Sequence, residues 1–572
     1  MATEIDERVP RGGHSLMTVF GIPGAVLGFF FYLVLENLDQ IDVQERFMVA
    51  ALVGISLGSA TYFLTVLRGQ VIRASVTGLL MAIAAGALGF LAYDGQAFDL
   101  SSGFMPVLAW GTVLVVSLPF IRTATKGNSF FDYRPLYADA WTLPAIVGVS
   151  QLFVLVGVLL AFLVAALFAF IGLSFLSDLM REGWFMSAYG GLLQAVGIGV
   201  VRQREAAILA VRGIKMALIR VTAPVFAACA ALFVGAVMIR GFGSLLDGLS
   251  PVATLTATAF VAIIMINAIV ADEGRPQNIL FGATARLLGV VLLFLMALAV
   301  YGLFMRVSAE GWTPNRIAAA LAVGVAAAYA PIYAAAALAE RWSILRQGNI
   351  AMSAVLLLLA IFICTPLFRP YDWSVSSQLE KFEREPEAVK LVDLAYLRDQ
   401  LGEPGRLAFE DIRTSSGPLT AKAESVGERP MYELRNEERP MEEVTVTVVP
   451  ADAEISGSLR EFGLAQVGAS DEIIFYPMTD GRVILAVVGS YVVELFIIEE
   501  EGGTWRIVYD ESLYSDTREE VLAAIRAGDV SFETRTYALP KIGNRVFPSG
   551  AYRFEPFRVE EEDLGEAEDP AN

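Results

Sequence analysis

The stretch "SAEGWTPNRIAAA", residues 308–320, stands between two long apolar runs at residues 287–306 and 317–338. Each run is close to the roughly 20 residues a helix needs to cross about 30 Å of hydrocarbon. The residues between them carry the marks of a chain that leaves a membrane and re-enters it. Thr313 suits a helix N-cap, and Pro314 suits the first helical position because its missing N–H would have no partner there. Trp312 belongs at the boundary between lipid and water. The segment therefore reads as the turn of a transmembrane hairpin, and its neighbours decide how many such turns the chain makes.

Working outward, eleven runs are long and apolar enough to span: residues 16–35, 47–67, 75–93, 104–121, 141–173, 184–201, 221–239, 252–270, 287–306, 317–338 and 350–367. The composition agrees, with 55% hydrophobic and 18% charged residues and a mean hydropathy of +0.57, well above an ordinary soluble chain. The first run lacks a small-residue cleavage site and is longer than a signal-peptide core, so it is expected to stay as an anchor. The fifth run is read as one long helix. The sixth, with Gly190, Gly191, Gly197, Gly199 and Gln194, is the one a re-entrant loop would replace.

Charge divides the chain. From Tyr371 onward there are 42 acidic and 20 basic residues, a net −22, whereas the preceding 370 residues sum to +3. With the N-terminus inside, the inner segments hold sixteen Lys and Arg and the outer ones five. This bias predicts a cytoplasmic N-terminus, and an odd number of spans then places the acidic C-terminal part on the outer side, in the periplasm of a bacterial inner-membrane protein. So acidic a region repels nucleic acid. Membrane lipids and an envelope protein are the expected partners, and no oligomeric state follows from the sequence.

Catalytic and metal chemistry find little support. Cys229 and Cys364 both fall in apolar runs and the single histidine is His14, which excludes His-based triads and Cys/His zinc sites. The eleven runs contain no Asp, Glu or Lys; an ion-coupled pump usually keeps a carboxylate at mid-depth. Carboxylate groups at Glu437/Glu438, Glu499 to Glu501 and Asp510/Glu511 lack the alternating spacing of a calcium loop. No Gly-rich phosphate loop follows a strand, and no cofactor is expected. The neutral polar residues Gln151, Gln194 and Asn267 read either as interhelical hydrogen bonds or as the lining of a substrate path. The basic segment 202–220 reads as a helix lying on the anionic inner leaflet.

Arg316 is the anomaly in the opening stretch. A cation in the first turn opposes the positive end of the helix dipole, so a compensating acid or carbonyl group is expected. Glu310 is nearest in sequence, Asp372 is an alternative, and snorkelling to the headgroups is a third solution.

The same motif resembles the "YGLTPERV" signature of the bacterial inner-membrane family called domain of unknown function 4153. Gly311, Thr313, Pro314 and Arg316 match, while Glu310, Trp312 and Asn315 depart from the usual Tyr, Leu and acid. "INAIVADEG" (266–274) is similar to the family's N-A-x-x-x-D-G stretch through Asn267 and Asp272, with Glu273 inserted before the glycine. "SVSSQL" (374–379) and "DLAYLRDQLGEPGR" (393–406) follow in the family's order, so that the likeness covers residues 140–410. It implies a fold and no activity.

The expected organisation is a cytoplasmic tail at 1–15, an all-α transmembrane bundle at 16–367, a helical juxtamembrane segment at 368–412, a linker at 413–443, a small α+β domain at 444–557 and an acidic tail at 558–572. In the juxtamembrane segment, Gly402 and Pro404 are expected to stop one helix before a second at 407–412. The short β-branched runs "VTVTVV", "EIIFYPM", "RVILAVV", "YVVELFIIEE" and "TWRIVYD" predict strands in the α+β domain, and "TREEVLAAIRAG" a helix that separates them from "SFETRTYAL" (531–539). The leading functional expectation is a non-catalytic envelope protein that binds, senses or scaffolds. A transporter or lipid flippase with a cavity lined by Gln151, Gln194 and Asn267 is one rival. A membrane enzyme using Asp178, Glu182, Glu310 and Arg316 together is the other.

Overall fold

A computed structural model of the chain describes residues 16–36, 45–67, 70–93, 104–240, 251–270, 275–431, 434, 445–466, 472–478, 481–488, 492–501, 504–514, 516–527, 541–542 and 545–546. Asp272, His14, residues 531–539, the terminal tails, Glu437 and Glu438 lie outside them. The chain divides into two compact units, Met1–Gly427 and Glu428–Asn572.

The first unit contains, among the described residues, eleven helices long and apolar enough to cross a membrane. They are α1 (Met17–Glu36), α2 (Glu45–Thr65), α3 (Val71–Ala92), α4 (Phe104–Thr125), α5 (Tyr133–Phe170), α7 (Gly183–Gln203), α8 (Glu205–Arg240), α9 (Pro251–Val270), α10 (Ile279–Glu310), α11 (Pro314–Leu338) and α12 (Trp342–Ile363), with a short α6 (Phe175–Arg181) joining α5 to α7. The protein is therefore a polytopic membrane protein. Its outer wall is apolar: along α5, Leu152, Leu155, Val156, Leu159, Leu160, Phe162, Leu163 and Leu167 are all exposed, as suits a helix that faces lipid.

Two packing centres hold the bundle. In one, α8 to α12 bury Leu255, Ile266, Leu288, Leu292, Leu295, Tyr333 and Leu345. In the other, α1, α2, α4, α5 and α7 close around Phe20, Phe63, Leu118, Ile146, Ala195 and Ile198. α4 and α12 meet where Trp110, Val113, Ala360 and Cys364 pack together. α5, at 38 residues, is one unbroken helix of about 57 Å at 1.5 Å per residue, as the sequence predicts.

α7 is a continuous helix of 21 residues, not a re-entrant loop. Its glycines other than Gly190 have a packing cause. A Cβ on Gly191 would collide with the carbonyl oxygen of Gly24 on α1, and one on Gly28 would collide with that of Ser187. The two backbones touch through a small-residue seam, the usual way for membrane helices to gain van der Waals contact where no hydrophobic drive exists between them.

Beyond α12 lies a layer of four helices: α13 (Pro370–Arg384), α14 (Leu391–Gln400), α15 (Gly402–Thr414) and α16 (Thr420–Val426). Two expectations are corrected here. The first helix does stop at Gln400, just before Gly402, but the second does not wait until residue 407: α15 opens at Gly402 itself, with Pro404 in its first turn, where a proline loses no hydrogen bond. The supposed linker is helical at Thr420–Val426, because Leu419, Ala423 and Val426 are buried and α16 packs against α14 and α15.

The second unit carries a five-stranded sheet in the order β1-β2-β3-β4-β5: β1 (Thr445–Val448), β2 (Glu472–Pro477), β3 (Val483–Val488), β4 (Val492–Glu501) and β5 (Thr504–Tyr514). β1 is parallel to β2 and the rest are antiparallel. Residue alternation sends Ile473 and Phe475 to one face, with Leu459 of α17 (Gly457–Gln466), and Ile474 and Ala486 to the other, with Leu522 and Ile525 of α18 (Asp516–Ala527). Period-2 side-chain alternation allows a sheet to bury both faces in this way. A two-stranded ladder, β6 (Lys541–Ile542) with β7 (Arg545–Val546), follows. The fold class is thus a helical membrane bundle with an α+β C-terminal unit.

Candidate functional site

The α10–α11 turn is built as its sequence suggests and then does more. Gly311 ends α10 at φ +74°, with its N–H donating to the Val307 carbonyl at 2.9 Å. Thr313 caps α11, its hydroxyl accepting from the Arg316 N–H at 3.3 Å, and Pro314 opens the helix. Arg316 donates to the carbonyls of Glu310 at 3.2 Å and Gly311 at 2.8 Å, and it pairs with the Glu310 carboxylate. The guanidinium therefore serves the negative C-terminal end of α10, where a cation is favourable. Its position in the first turn of α11 is only how it gets there. Asp372, the alternative partner, pairs instead with Arg369 at 3.6 Å.

The turn is also a dock for α13. Ser377 Oγ accepts from the Trp312 N–H at 2.9 Å, and Gln378 Nε2 donates to the carbonyls of Glu310 and Trp312, each at 3.0 Å. Ser377 and Gln378 belong to the "SVSSQL" motif, so two segments of the same family resemblance are hydrogen-bonded to each other. A Cβ on Gly311 would sit 3.0 Å from both Gln378 Nε2 and Ser377 Oγ, in a backbone region that disfavours side chains. Gly311→Ala is expected to cost about 1–3 kcal/mol from a backbone conformation that essentially only glycine adopts and to loosen α13, seen as faster limited proteolysis between α12 and α14 with little change in the bundle.

Around this dock lies a cavity of about 480 Å³, lined by Arg306, Glu310, Thr313, Asn315 and Arg316 from the hairpin, Gln378 and Lys381 from α13, Asp393 and Tyr396 from α14, and an apolar side formed by Val252, Ala253, Leu303 and Ala319. Three of the four motif segments thus converge on one pocket. Asp393 Oδ2 accepts from the Lys390 N–H at 3.1 Å at the start of α14. Burial pushes the Tyr396 hydroxyl above its ordinary pKa, against the opposing influence of its hydrogen bond with Thr313 and the Arg316 charge. The folded state thus keeps this proton while an unfolded tyrosine releases it near pH 10. Tyr396 contributes stability below that pH and loses it as pH rises further. The melting advantage of the native protein over Tyr396→Phe should therefore shrink as the pH is raised above about 10.

The other sequence candidates sit elsewhere. Asn267 belongs to a buried network near the opposite end of the hairpin. Its Nδ2 donates to Tyr333 OH at 2.5 Å and to the Ile263 carbonyl at 2.9 Å, and its Oδ1 accepts from Asn349 Nδ2 at 2.7 Å. Tyr333 OH donates to Asn349 Oδ1 at 2.7 Å, and Asn349 Nδ2 reaches Tyr133 OH at 3.1 Å. Gln151 Nε2 donates to Gln194 Oε1 at 2.8 Å, and Gln194 Nε2 to Ser150 at 3.2 Å. The structure does not bring Gln151, Gln194 and Asn267 into one polar cavity. Only Gln194 of the three lines the space of about 510 Å³ beside the α1–α7 seam, which is mostly apolar. Of the acids and arginine expected at the outer face, only Glu310 and Arg316 line the cavity at the turn; Asp178 and Glu182 do not. Asp178 accepts from Ser174 at 2.9 Å and lies 3.9 Å from Arg181, whereas Glu310 is paired with Arg316.

Sequence reasoning missed a second charged site, at the end of the bundle shared with Asn267. Asp139, buried near the start of α5, lies 3.1 Å from Arg122 and 3.0 Å from Lys126. Arg122 also donates to the Leu64 carbonyl, and Arg202 donates to those of Phe63 at 2.6 Å and Val66 at 2.9 Å. Two buried arginines thus satisfy the last carbonyls of α2. Arg220 does the same for Ala268 of α9 at 2.7 Å, while Lys215 donates to the Trp141 carbonyl at 2.9 Å. This corrects the surface-helix reading of residues 202–220. They end α7 and begin the 36-residue α8, and much of their charge is spent on protein carbonyls. The signal for Asp139 was present, two residues before the start of an apolar run.

No protein-family model, curated protein or solved structure matches the chain.

Proposed function

We propose that the protein is a non-catalytic binding or scaffold protein of the bacterial inner membrane, with the α10–α11 turn, the α13–α16 layer and the C-terminal unit on the periplasmic side. Membership of the family its motifs resemble is part of this reading. The observation that carries it is the convergence of three motif segments on one pocket at the end of the bundle opposite the Asn267 network. That pocket contains cations, amides and a tyrosine, and its acids are engaged with Arg316 and the α14 backbone. Such an arrangement suits the holding of a ligand: Thr313 is engaged as a helix cap and with Tyr396, and Glu310 with Arg316.

The excess of Lys and Arg near the other end supports the orientation. The test is a pair of reporter fusions after Phe557. Alkaline phosphatase should be active and a cytoplasm-only fluorescent protein dark. The reverse result would overturn the periplasmic placement and redirect the search to cytoplasmic partners.

A further inference from the structure

We propose that the pocket at the α10–α11 turn binds the phosphate headgroup of an anionic amphiphile, with its apolar chain lying against Val252, Leu303 and Ala319. The inference deepens the binding reading above and rests on it. Three cationic side chains, Arg306, Arg316 and Lys381, line the cavity from three different helices. Of the two acids present, Glu310 is engaged by Arg316, and one Asp393 oxygen is held by the backbone of α14. The local balance favours an anion, and guanidinium and ammonium groups together suit phosphate oxygens.

Helix geometry adds to the same sign. α9, α11 and α14 begin at Pro251, Pro314 and Leu391, and each contributes first-turn or capping residues to the lining, among them Val252, Thr313 and Asp393. Three helix N-termini therefore border one cavity that already holds cations and lend it partial positive charge, while the carbonyl end of α10, which borders it at Glu310, is met by Arg316. A single N-terminus would say little. Three of them meeting around clustered cations concentrate the field in one place.

Size and polarity then select the ligand class. A volume of about 480 Å³ falls in the range of about 300–1,000 Å³ typical of small-molecule sites, more than an inorganic anion alone fills. Polar groups occupy the side formed by the turn, α13 and α14, and apolar ones the side formed by the membrane helices. A phosphate-bearing lipid has the same division between head and chain.

The test uses the full-length protein in neutral detergent, with dioctanoyl phosphatidylglycerol, dioctanoyl phosphatidylcholine and inorganic phosphate as probes. Binding is followed by the melting midpoint and by the tryptophan fluorescence that differs between the native protein and Trp312→Phe, since Trp312, one of seven tryptophans, adjoins the pocket through Gln378. Phosphatidylglycerol should raise the midpoint, phosphatidylcholine much less, and Lys381→Gln and Arg306→Gln should each weaken the phosphatidylglycerol effect about ten-fold, the scale of one charge-assisted hydrogen bond. Should Arg306→Gln melt early without lipid, Lys381→Gln decides. Equal response of native protein and Lys381→Gln, or no response, overturns the proposal. Inorganic phosphate acting as tightly as the lipid overturns the amphiphile assignment in favour of a soluble anion. A failure here leaves the reporter result for the periplasmic reading intact, and a reversed reporter result would leave lipid binding standing on the other leaflet.

Discussion

Arg122→Met is expected to destabilise the membrane unit by about 3 kcal/mol, the lower part of the range for removing one partner of a buried ion pair. Arg122 and Asp139 are 5% and 3% exposed, so water cannot replace the lost guanidinium at either of its contacts. Asp139 would keep only Lys126, and the Leu64 carbonyl at the end of α2 would lose its donor. Adding Asp139→Asn to the same chain should recover part of the loss, because the stranded charge is gone while its volume remains. Denaturation of the two single variants and the double variant in detergent measures the coupling. A cost below about 1 kcal/mol for Arg122→Met would place the pair in the class of solvated ion pairs and remove it from the framework of the bundle.

The second large effect concerns backbone contact. Gly191→Val should cost about 3 kcal/mol, the upper part of the range for overpacking, or prevent α1 and α7 from docking, since the new Cβ must enter the space of the Gly24 carbonyl. Its neighbour provides the control. Nothing lies within 4 Å of a Cβ added at Gly190, so Gly190→Val should be tolerated, and replacing a helical glycine there is slightly favourable by propensity. Similar losses for both variants would show that backbone flexibility, and not helix contact, is what the glycines provide. Melting midpoints of the two purified variants separate these explanations.

The contrast between these sites explains what could be read in advance. Spans are legible because lipid imposes one local rule, a long apolar run, and the five-stranded sheet is legible because strand alternation is equally local. Partners of polar residues follow no such rule. Asn349 bonds to a tyrosine 216 positions away, and Arg202 to a carbonyl 139 positions away. Asp139 escaped attention because the apolar run begins at Trp141 whereas the helix begins at Tyr133. α16 was hidden in a polar stretch whose buried positions, Ala423 and Val426, are defined only by the helices they cover. The turn at Gly311 was legible as a cap and a boundary. Its role as the dock for Ser377 and Gln378 needed the fold.

The Asn267–Tyr333–Asn349–Tyr133 network takes its members from α9, α11, α12 and α5, one from each helix. Turning any of those helices by one residue would swing its side chain through about 100° and break its bonds at once. The network acts as a key that admits a single rotational phase for four helices. It also fixes a fulcrum. Arg316 lies 17 residues from Tyr333 along α11, roughly 25 Å at the helical rise, so a tilt of about 10° about the locked end carries the pocket end through roughly 4 Å. At that end the hydrogen bonds run between the turn and α13, so the two can travel together. Any tilt of α11 about this locked end would therefore be felt most at the cavity.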